Sequence, residues 1–354
     1  MTTETTPGLL AAPPDPAQLP ESVQMLLLVT GKWVSQSIYV TAKLGLADLL
    51  AKEPQTAEQL AAATGVAPTP LYRCLRAAAS VGVFQEHPGG IFTLTPLAET
   101  LMTDVAGSMR HAAIMFGEDF MWRPYGHIMH TVRTGQVAFN ELFGVRDMFE
   151  YFKAHPDVEA VFNDAMTGLT TGSAAETAES YDFSRFGCVA DIGGGHGYLL
   201  ASILAQHPKV QGLLFDRPGV IEGAENVLAE ARVEERVIRS GGDFFEAVPA
   251  GADAYVIKSV LHDWDDEQCL QILRNVLVAL DGKPDGRVII VESIVPELNE
   301  WDFSKLMDIE MMVNVGGRER TRTEWAALLE RSGFQLTDVI PSVPPNWIIE
   351  GTPR

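Results

Sequence analysis

The pattern of hydrophobic and polar positions predicts a helical first half and an alternating second half. In residues 21–52, apolar side chains recur at three- and four-residue spacing, which predicts one or two helices. Apolar residues also occupy the other faces of this segment, so it needs burial on several sides, and a partner subunit is one way to provide it. Residues 1–20, rich in Thr, Pro and Ala, are predicted to form a loose tail.

The segment that follows has the order of elements of a winged helix. Thr56 and Gln59 fit a capping box that begins one helix. A second helix is predicted to end at Ser80, and two short strands then flank a turn signal at residues 87–90. A winged helix can either bind DNA or serve a structural, dimerising role. The charge of the chain helps to decide between these two roles.

Residues 107–175 are predicted to be helical and are rich in Met and aromatic side chains. In most helices such side chains form the core, but when clustered they also suit an adaptable apolar pocket. Both roles stay open for each residue. We therefore expect one domain over residues 21–175 that combines the winged helix with a lid over the substrate.

From residue 187 onward, short β-type runs alternate with helical segments. Strands are predicted at 188–192, 210–215, 237–240, 254–258, 287–292, 335–341 and 346–350. Strands alternating with helices are typical of a parallel, doubly wound sheet. The sequence therefore predicts an α/β domain over residues 176–354.

Composition and charge narrow the possible partners. The chain has 47 acidic and 26 basic residues and a formal net charge of −21, whereas nucleic acids are bound mainly through Lys and Arg. The second helix of the predicted winged helix offers only Arg73 and Arg76 for reading bases. No apolar run approaches the roughly 20 residues of a membrane span. Neither nucleic acid nor a membrane is thus a predicted partner.

The cysteines and the first residues point to the cytoplasm. The three cysteines are far apart and form no CxxC pair, so neither a disulfide framework nor a zinc site is predicted. Residues 1–20 lack the basic start and the apolar stretch of a signal peptide. A cytoplasmic location with reduced thiols is the expectation.

The strongest chemical motif is the glycine-rich sequence DIGGGHG, which follows the first predicted strand and precedes a helix. Glycines let the backbone approach a ligand closely. A nicotinamide dinucleotide site requires Gly-x-Gly-x-x-Gly. Starting from Gly193 or Gly195, the third position is Tyr198 or Leu200, so the dinucleotide pattern fails. Gly-x-Gly-x-Gly preceded by Asp191 is instead typical of an S-adenosylmethionine loop.

Two more motifs follow the next two strands. Asp216 is placed to accept hydrogen bonds from ribose hydroxyls, although taken alone it is equally a solvated loop residue. After the third strand, Gly242 precedes Asp243, which can accept from an adenine amino group, and Phe244, which can pack on the adenine ring. Because the carboxyl ends of parallel strands surround one crevice, these features are expected to form one cofactor site.

The fourth strand leads into the sequence KSVLHDWDD, which faces the same crevice. His262 is the natural base near neutral pH, although a lone His is often only structural. Asp265 is interpreted as the N-cap of the next helix, with Gln268 completing a capping box. A metal site built from Asp263, Asp265 and Asp266 is the less favoured alternative, and no metal is predicted.

The motifs DIGGGHG, FD, GGDFF, KSVLHDWDD, ES and GGRERT, in this order, resemble the small-molecule O-methyltransferases related to plant caffeic acid and animal acetylserotonin O-methyltransferases. Bacterial members of that family tailor natural products. The resemblance covers nearly the whole chain, because the family also has an N-terminal winged-helix dimerisation domain. It implies a Rossmann-like methyltransferase fold, a homodimer, S-adenosylmethionine as methyl donor, S-adenosylhomocysteine as product, and no metal.

The resemblance also implies roles for individual residues. His262 matches the catalytic base, and Glu292 and Glu319 match the acids that flank it. Matches to cofactor contacts, together with the residues of the glycine motifs, give a set at the strand ends: Asp191, Gly193, Gly195, Asp216, Gly242, Asp243, Phe244 and Lys258. The predicted contacts to the acceptor are Phe162, Met166, Asp263 and Asn314.

Two departures from the plant members limit what the resemblance implies about the acceptor. The segment between Asp308 and Gly316 is one residue shorter, so Asn314 matches its position only approximately, and Leu169 replaces a His of some plant enzymes. Phenylpropanoid acceptors are therefore not simply carried over. The sequence predicts an O-methyltransferase acting on a small, hydroxylated aromatic or polyketide-like metabolite.

Two rival functions stay open. The first is an enzyme of the same fold that performs C- or N-methylation, hydroxylation or decarboxylation. The second is a transcriptional regulator that uses the winged helix. Retention of His262, Glu292 and Glu319 disfavours the first, and the acidity of the chain disfavours the second.

Overall fold

The computed structural model describes residues 19–354, so the predicted tail over residues 1–20 lies almost wholly outside the described residues. The chain divides into two compact units, the first ending at Glu118 and the second spanning Asp119–Arg354. Within the described residues, no helix combines the length and apolarity that crossing a membrane requires.

The first unit is mainly helical. Its elements are α1 Glu21–Val29, α2 Gly31–Lys43, α3 Leu46–Leu50, β1 Gln55–Thr56, α4 Ala57–Thr64, α5 Pro68–Ser80, β2 Phe84–His87, β3 Ile91–Leu94, α6 Pro96–Glu99 and α7 Arg110–Gly117. The strands form an antiparallel sheet in the order β1-β3-β2. With α4 and α5 this sheet makes the predicted winged helix.

Local signals set the helix boundaries of this unit. The side chain of Thr56 accepts a hydrogen bond from the Gln59 amide, and the Gln59 side chain accepts from the Thr56 amide, so the predicted capping box is confirmed. The apolar segment 21–52 holds three helices rather than one or two, because the chain breaks at Thr30 and at Gly45, whose φ is +65°. Glycine adopts that left-handed conformation without strain.

The second unit contains the larger sheet. Its helices are α8 Asp119–Trp122, α9 Ile128–Thr134, α10 Ala138–Phe143, α11 Met148–Ala154, α12 Pro156–Thr171, α13 Ala174–Glu179, α14 Tyr198–Gln206, α15 Pro218–Ile221, α16 Ala224–Glu230, α17 Asp266–Ala279, α18 Ser304–Glu310 and α19 Arg322–Ser332. Its strands are β4 Cys188–Ile192, β5 Gln211–Asp216, β6 Val237–Gly241, β7 Ala254–Lys258, β8 Arg287–Ser293, β9 Phe334–Pro341 and β10 Asn346–Pro353. Short 3-10 helices lie at Arg123–His127, Phe183–Arg185, Glu234–Arg236 and Leu261–Asp263, and a π-helical segment lies at Met311–Val315.

The seven strands follow the order β6-β5-β4-β7-β8-β10-β9. The first five are parallel, and β10 pairs antiparallel with both β8 and β9. The prediction of a mostly parallel, doubly wound sheet is therefore confirmed. The sequence order reverses next to β4, and open sheets of this kind bind ligands beside such a switch point, at the carboxyl ends of the strands.

Helices cover both faces of the sheet, which explains why its central strands are apolar on both sides. On one face Tyr255 and Ile257 pack with Trp325 of α19. On the other face Val189 and Val256 belong to a second core. All five side chains are almost fully buried, so the strand ends are held on a rigid support.

The helices over residues 119–175 belong by contact to the unit that holds the large sheet, whereas the sequence prediction grouped them with the winged helix. The ring of Phe149 stacks on Trp264, with 5.7 Å between centroids, and Phe152 packs on Phe162 at 4.9 Å. Such aromatic packing binds these helices to the loop after β7. The division between the units therefore lies at Glu118, earlier than the predicted one at residue 175.

The helix predicted over residues 218–231 is also divided, into α15 and α16. Gly223 lies between them, where a Cβ atom would come within 2.6 Å of the His196 ring. The imidazole of the glycine-rich loop thus occupies the space that a side chain at residue 223 would need.

Candidate active site

The carboxyl ends of the parallel strands bring the predicted site residues to one edge of the sheet. Asp191 lies in β4, Asp216 ends β5, Gly242 follows β6, Lys258 ends β7 and Glu292 lies near the end of β8. Because β4 lies between β5 and β7, the residues predicted to bind the cofactor at the ends of β5 and β7 flank its glycine-rich loop.

The glycine-rich loop after β4 is tied to the end of β5. The Gly193 amide donates to the Phe215 carbonyl at 2.8 Å, and the Gly195 amide donates to Asp216 Oδ2 at 2.8 Å. Gly193 and Gly195 have φ of +69° and +58°, conformations that L side chains rarely adopt. The Asp216 carboxylate therefore organises the loop, and it retains lone pairs for a ligand.

A buried carboxyl group, that of Asp191, lies beneath the same loop. Asp191 is almost fully buried, its Oδ2 has no hydrogen-bond partner, and burial raises its pKa to about 7 against the attraction of Lys258. Burial lowers the pKa of Lys258, opposed by attraction to Glu292 and Asp191. An unpaired, buried carboxylate oxygen beside a ligand loop is available to a hydrogen-bond donor.

The loop after β6 forms the next wall. The Gly242 amide donates to the Asp216 carbonyl at 3.0 Å, and Asp243 Oδ1 accepts from the Phe245 amide at 2.8 Å. The ring of Phe244 packs edge-on against Trp264, with centroids 6.1 Å apart. An acid and an aromatic ring are thus fixed side by side, as the sequence predicts for an adenine site.

His262 lies in the 3-10 helix Leu261–Asp263, and two buried carboxylates face one of its ring nitrogens. Glu319 Oε1 lies 2.8 Å from Nδ1 and Glu292 Oε2 lies 3.4 Å from it. The side chain of His262 is 16% exposed, whereas both glutamates are 1% exposed. Since Nδ1 faces carboxylates, it carries a proton and donates to Glu319, so in the neutral imidazole Nε2 is the nitrogen that can accept a proton.

The charges around His262 determine its proton affinity. Burial lowers the pKa of the imidazole, but attraction by Glu292, the hydrogen bond to Glu319 and attraction by Asp263 outweigh this effect and raise the pKa to about 10. Burial raises the pKa of Asp263 to about 6, and it also raises that of Glu292. The imidazolium form is therefore strongly stabilised in this pocket.

Both glutamates have further anchors. Glu292 Oε1 accepts from the backbone amides of Val260, Leu261 and His262 at 3.0, 3.0 and 3.3 Å. Ser293 donates to the second oxygen of Glu319. Glu292 thus holds the backbone of the loop as well as facing the ring. Sequence reasoning missed Ser293, although its place beside Glu292 was a signal.

Arg320 supports the same loop from beneath and was also missed. Its fully buried guanidinium donates to the Leu261 carbonyl at 3.1 Å, to the Trp264 carbonyl at 3.0 Å and to Asp266 at 2.9 Å. Asp265 caps α17 with Gln268, as predicted. Asp265 and Asp266 are therefore engaged in capping and in an ion pair.

Among the described residues, one group of three or more His, Cys, Asp and Glu side chains has the donor spacing of a metal site. It consists of His262, Glu292 and Glu319, whose donor atoms lie within 4.8 Å of one another. The less favoured alternative over Asp263, Asp265 and Asp266 is not such a group. The arrangement around His262 already satisfies Nδ1 with a hydrogen bond to Glu319.

The predicted acceptor-binding residues are found at three places. Asp263 Oδ1 lies 3.7 Å from Nε2 of His262. Phe162 and Met166 lie half-buried on α12, and Phe162 packs on Phe152. Asn314 is fully buried in the π-helical segment, which packs against the 3-10 helix that carries His262.

Comparison with known families assigns both parts of the chain. Residues 26–104 match the family profile described as an O-methyltransferase dimerisation domain, and residues 125–335 match the one described as an O-methyltransferase domain. The two matches follow the order that the motif resemblance implies. They confirm the predicted family and the prediction that a dimerisation domain precedes a methyltransferase domain in the chain.

Two curated relatives differ in the atom that they methylate. A phenazine O-methyltransferase of Lysobacter antibioticus is 44% identical over 335 residues, covering 95% of this chain and 97% of the relative. An 8-amino-8-demethylriboflavin N,N-dimethyltransferase of Streptomyces davaonensis is 38% identical over 315 residues, covering 88% and 90%. The family therefore includes enzymes that methylate oxygen and enzymes that methylate nitrogen.

A solved structure confirms the methyltransferase fold. An O-methyltransferase from neocarzinostatin biosynthesis, in complex with S-adenosylmethionine and 2-hydroxy-5-methyl naphthoic acid, superposes with a TM-score of 0.77. It is 30% identical, and the match covers 91% of this chain and 96% of that chain. That relative holds both the methyl donor and a hydroxylated aromatic acid.

The first prediction concerns the buried guanidinium group of Arg320. Arg320→Lys keeps the charge but cannot reach both carbonyls and Asp266 at once, so two buried carbonyl groups lose a donor. We expect the free energy of unfolding to fall by about 1–3 kcal/mol. Urea denaturation measures this change.

Arg331→Lys is the matched control, because Arg331 pairs with Asp266 and Glu267 from the surface, with a half-exposed side chain. It is expected to change the free energy of unfolding by less than about 0.5 kcal/mol. Equal effects of the two substitutions would contradict the role given to Arg320.

Proposed function

The chain belongs to the S-adenosylmethionine-dependent O-methyltransferase family, and we propose that it methylates a hydroxyl group of a small aromatic or polyketide-like metabolite with His262 as general base. The observation that carries this proposal is the imidazole whose Nδ1 faces two buried carboxylates, while Nε2, 3.7 Å from Asp263 Oδ1, has no hydrogen-bond partner among residues 19–354. That orientation is what a general base requires.

The cofactor is S-adenosylmethionine in this proposal. Asp216 would accept from the ribose hydroxyls, Asp243 from the adenine amino group, and Phe244 would pack on the adenine ring. The glycines at residues 193, 195 and 242 let the backbone approach the ligand. Two further residues complete the proposed cofactor site: Asp191, which has an unpaired oxygen, and the half-buried Lys258.

The step that requires help from the enzyme is activation of the oxygen nucleophile, because the methyl group is already activated. The sulfonium of the donor already activates its methyl, whereas a phenol with a pKa near 10 is mostly protonated at neutral pH. Nε2 of His262 takes the hydroxyl proton as the oxygen attacks the methyl carbon. The carbon–oxygen bond forms, the carbon–sulfur bond breaks, and its electron pair stays on the sulfur of S-adenosylhomocysteine.

The two glutamates would act through the imidazole. Glu319 fixes the Nδ1 proton and so keeps Nε2 directed at the acceptor, as the acid of a catalytic triad does. Both carboxylates stabilise the imidazolium that forms. A sulfonium bound nearby is itself a cation and disfavours a second positive charge, so cofactor binding lowers the high proton affinity of the free site.

Oxygen is the proposed acceptor atom, with nitrogen as the second candidate. The relative that dimethylates an amino group motivates the second candidate. A neutral amine is nucleophilic without prior deprotonation, whereas a phenol gains most from a base such as His262. Product analysis decides, because an O-methyl ether and an N-methyl amine differ in their fragmentation by mass spectrometry.

The acceptor is proposed to bind between α12 and the 3-10 helix of His262. Phe162 and Met166 would provide the apolar wall, while Asp263 and Asn314 would provide polar contacts. The large aromatic cluster of Phe149, Phe152 and Phe162 favours a flat ligand.

The oligomer in this proposal is a homodimer formed through the first unit. Leu28 of α1 and Trp33 of α2 are 77% and 65% exposed, and they belong to the match with the dimerisation domain. Exposed apolar patches of this kind mark protein interfaces.

Removal of the base tests the mechanism. His262→Ala is expected to lower kcat by about 10²–10⁴, because the phenol must then ionise unaided. The affinity for S-adenosylmethionine, measured by isothermal titration calorimetry, should change less than about threefold, since His262 receives the acceptor proton. His87→Ala, on the exposed hairpin of the winged helix, is the matched control. Turnover of His262→Ala near that of the control would refute the assignment.

The charge around the base predicts a pH dependence. Below its pKa of about 10 the imidazole of the free enzyme holds its proton and cannot accept another, so kcat/KM for S-adenosylmethionine should rise with pH. Glu319→Gln removes one negative charge that raises this pKa, so the rise should occur at lower pH. The pH profiles of the wild-type enzyme and of Glu319→Gln are measured with the same acceptor, so the ionisation of the acceptor affects both profiles equally. If the profile of Glu319→Gln coincides with that of the wild-type enzyme, Glu319 does not raise the pKa of His262.

No metal takes part in the proposed reaction, because a sulfonium needs no Lewis acid. We expect activity after exhaustive dialysis against EDTA to equal that before dialysis. Loss of activity that Mg²⁺ or Zn²⁺ restores would show that His262, Glu292 and Glu319 hold an ion instead.

The dimer is tested by sedimentation equilibrium at micromolar concentration, where a mass twice that of the chain is expected. Leu28→Arg buries a charge in the proposed interface and should shift the mass toward the monomer. Val278→Arg is the matched control, since Val278 of α17 is also 77% exposed. A monomeric wild-type chain, or equal dissociation by both substitutions, would oppose the proposal.

A further inference from the structure

A buried carboxylate outside the His262 cluster is unused by the mechanism. Glu310 ends α18 and is only 7% exposed. Among residues 19–354, no Lys, Arg or His side chain lies within ion-pairing distance of it. A buried acid without a cation is costly, so such groups either have many hydrogen bonds or serve a ligand.

Two side chains donate to this carboxylate and leave it partly open. The Tyr125 hydroxyl donates to one oxygen, and Asn314 Nδ2 donates to Oε1 at 2.7 Å. A carboxylate has about four lone-pair sites, so these two donors leave roughly half of its capacity unused.

Asn314 adds a second open acceptor. This side chain is 1% exposed, and its Oδ1 is buried with no hydrogen-bond partner. Fully buried amide oxygens are nearly always paired in folded proteins, so each exception requires an explanation. Glu310 and Asn314 together therefore present a partly unfilled set of acceptor atoms, and no further side-chain donor among residues 19–354 fills it.

The position of the pair connects it with the base. Asn314 lies in the π-helical segment Met311–Val315, and such segments are frequent at functional sites. Just after it, a Cβ atom at Gly317 would overlap the carbonyl oxygen of His262, and the Arg318 amide donates to that same oxygen at 2.9 Å. The chain just after Asn314 is thus packed closely against the 3-10 helix that contains His262.

The same segment also packs against helices within residues 119–143. The π-helical segment packs against α9, α10 and the 3-10 helix Arg123–His127, which supplies Tyr125. The segment that contains Asn314 thus packs against both these helices and the 3-10 helix of His262.

We propose that Glu310 and Asn314 form a polar subsite that receives a hydrogen-bond donor, an amino or hydroxyl group, on the part of the acceptor remote from the methylated hydroxyl. This inference rests on the proposed function and narrows its substrate class. The subsite selects acceptors that carry a second donor, and its negative charge repels a carboxylate at that position. A site built to bind a donor rejects an isostere that lacks it, because its own buried groups then stay unpaired.

The test uses two naphthols of nearly equal shape, one with an amino group and one with a methyl group on the second ring. Isothermal titration calorimetry measures the binding of each to the full chain saturated with S-adenosylhomocysteine. We expect the aminonaphthol to bind roughly 10- to 100-fold more tightly than the methylnaphthol. Equal affinity, or no measurable binding of either, would overturn the proposal, and this comparison needs no variant.

A substitution then assigns the preference to the pair. Glu310→Gln keeps the shape but removes the charge, and it should reduce the ratio of the two affinities to within about threefold. Glu297→Gln, an exposed Glu in the loop before α18, should keep the wild-type ratio. Unchanged affinity for S-adenosylhomocysteine in both variants shows that the fold is intact. A Glu310→Gln protein that keeps the full preference would refute the role of Glu310.

Methylation of the same naphthols separates this inference from the function on which it rests. A preference for the aminonaphthol without any methylated product would leave the subsite in place and remove the proposed reaction for naphthols. Methylation of both compounds with equal affinity would leave the reaction in place and remove the subsite.

Discussion

The structure of the site depends on the burial of two carboxylates beside one imidazole. Glu292 and Glu319 are each 1% exposed, and two negative charges so placed repel each other unless a cation or strong donors lie between them. His262 provides the donor, and the pair in turn raises its pKa. The backbone amides around residue 261, the hydroxyl of Ser293 and the guanidinium of Arg320 hold this arrangement in place. The proposed base is therefore positioned by groups to which the proposed mechanism assigns no contact with the substrate.

The parallel sheet makes such an arrangement possible. Its central strands end at one edge, so Asp191, Asp216, Lys258 and Glu292, far apart in sequence, meet there. Glu319 comes from outside the sheet, and Asp308 accepts from its amide at 2.9 Å. Rigid strands supply the cofactor wall and one acid, while the segments after α18 supply the other acid and the proposed subsite. In the proposed function, different parts of the fold would thus bind the methyl donor and the acceptor.

The sequence predicted those features whose causes are local. Capping boxes at Thr56 and Asp265, the glycine-rich loop between a strand and a helix, and the β4 and β7 boundaries all depend on neighbours within a few residues. The resemblance added the identity of His262, Glu292 and Glu319. The sequence could not predict Arg320 beneath the loop or the Glu310–Asn314 pair, because an apolar-looking helix gives no sign of which polar atoms stay unpaired. It also misjudged the boundary between the units, since aromatic packing on Trp264 joins residues distant in sequence.

The place of β10 in the sheet has a consequence for synthesis on the ribosome. This strand, Asn346–Pro353, lies between β8 and β9, and Trp347 pairs with Glu292 across the ladder. A growing chain that has emerged only as far as residue 340 therefore presents the apolar edge of β8 without its partner. Unpaired edges of this kind recruit other chains. The strand that carries a proposed catalytic acid is thus also the one that needs protection, by chaperones or by rapid completion of the chain, until residue 353 has left the exit tunnel.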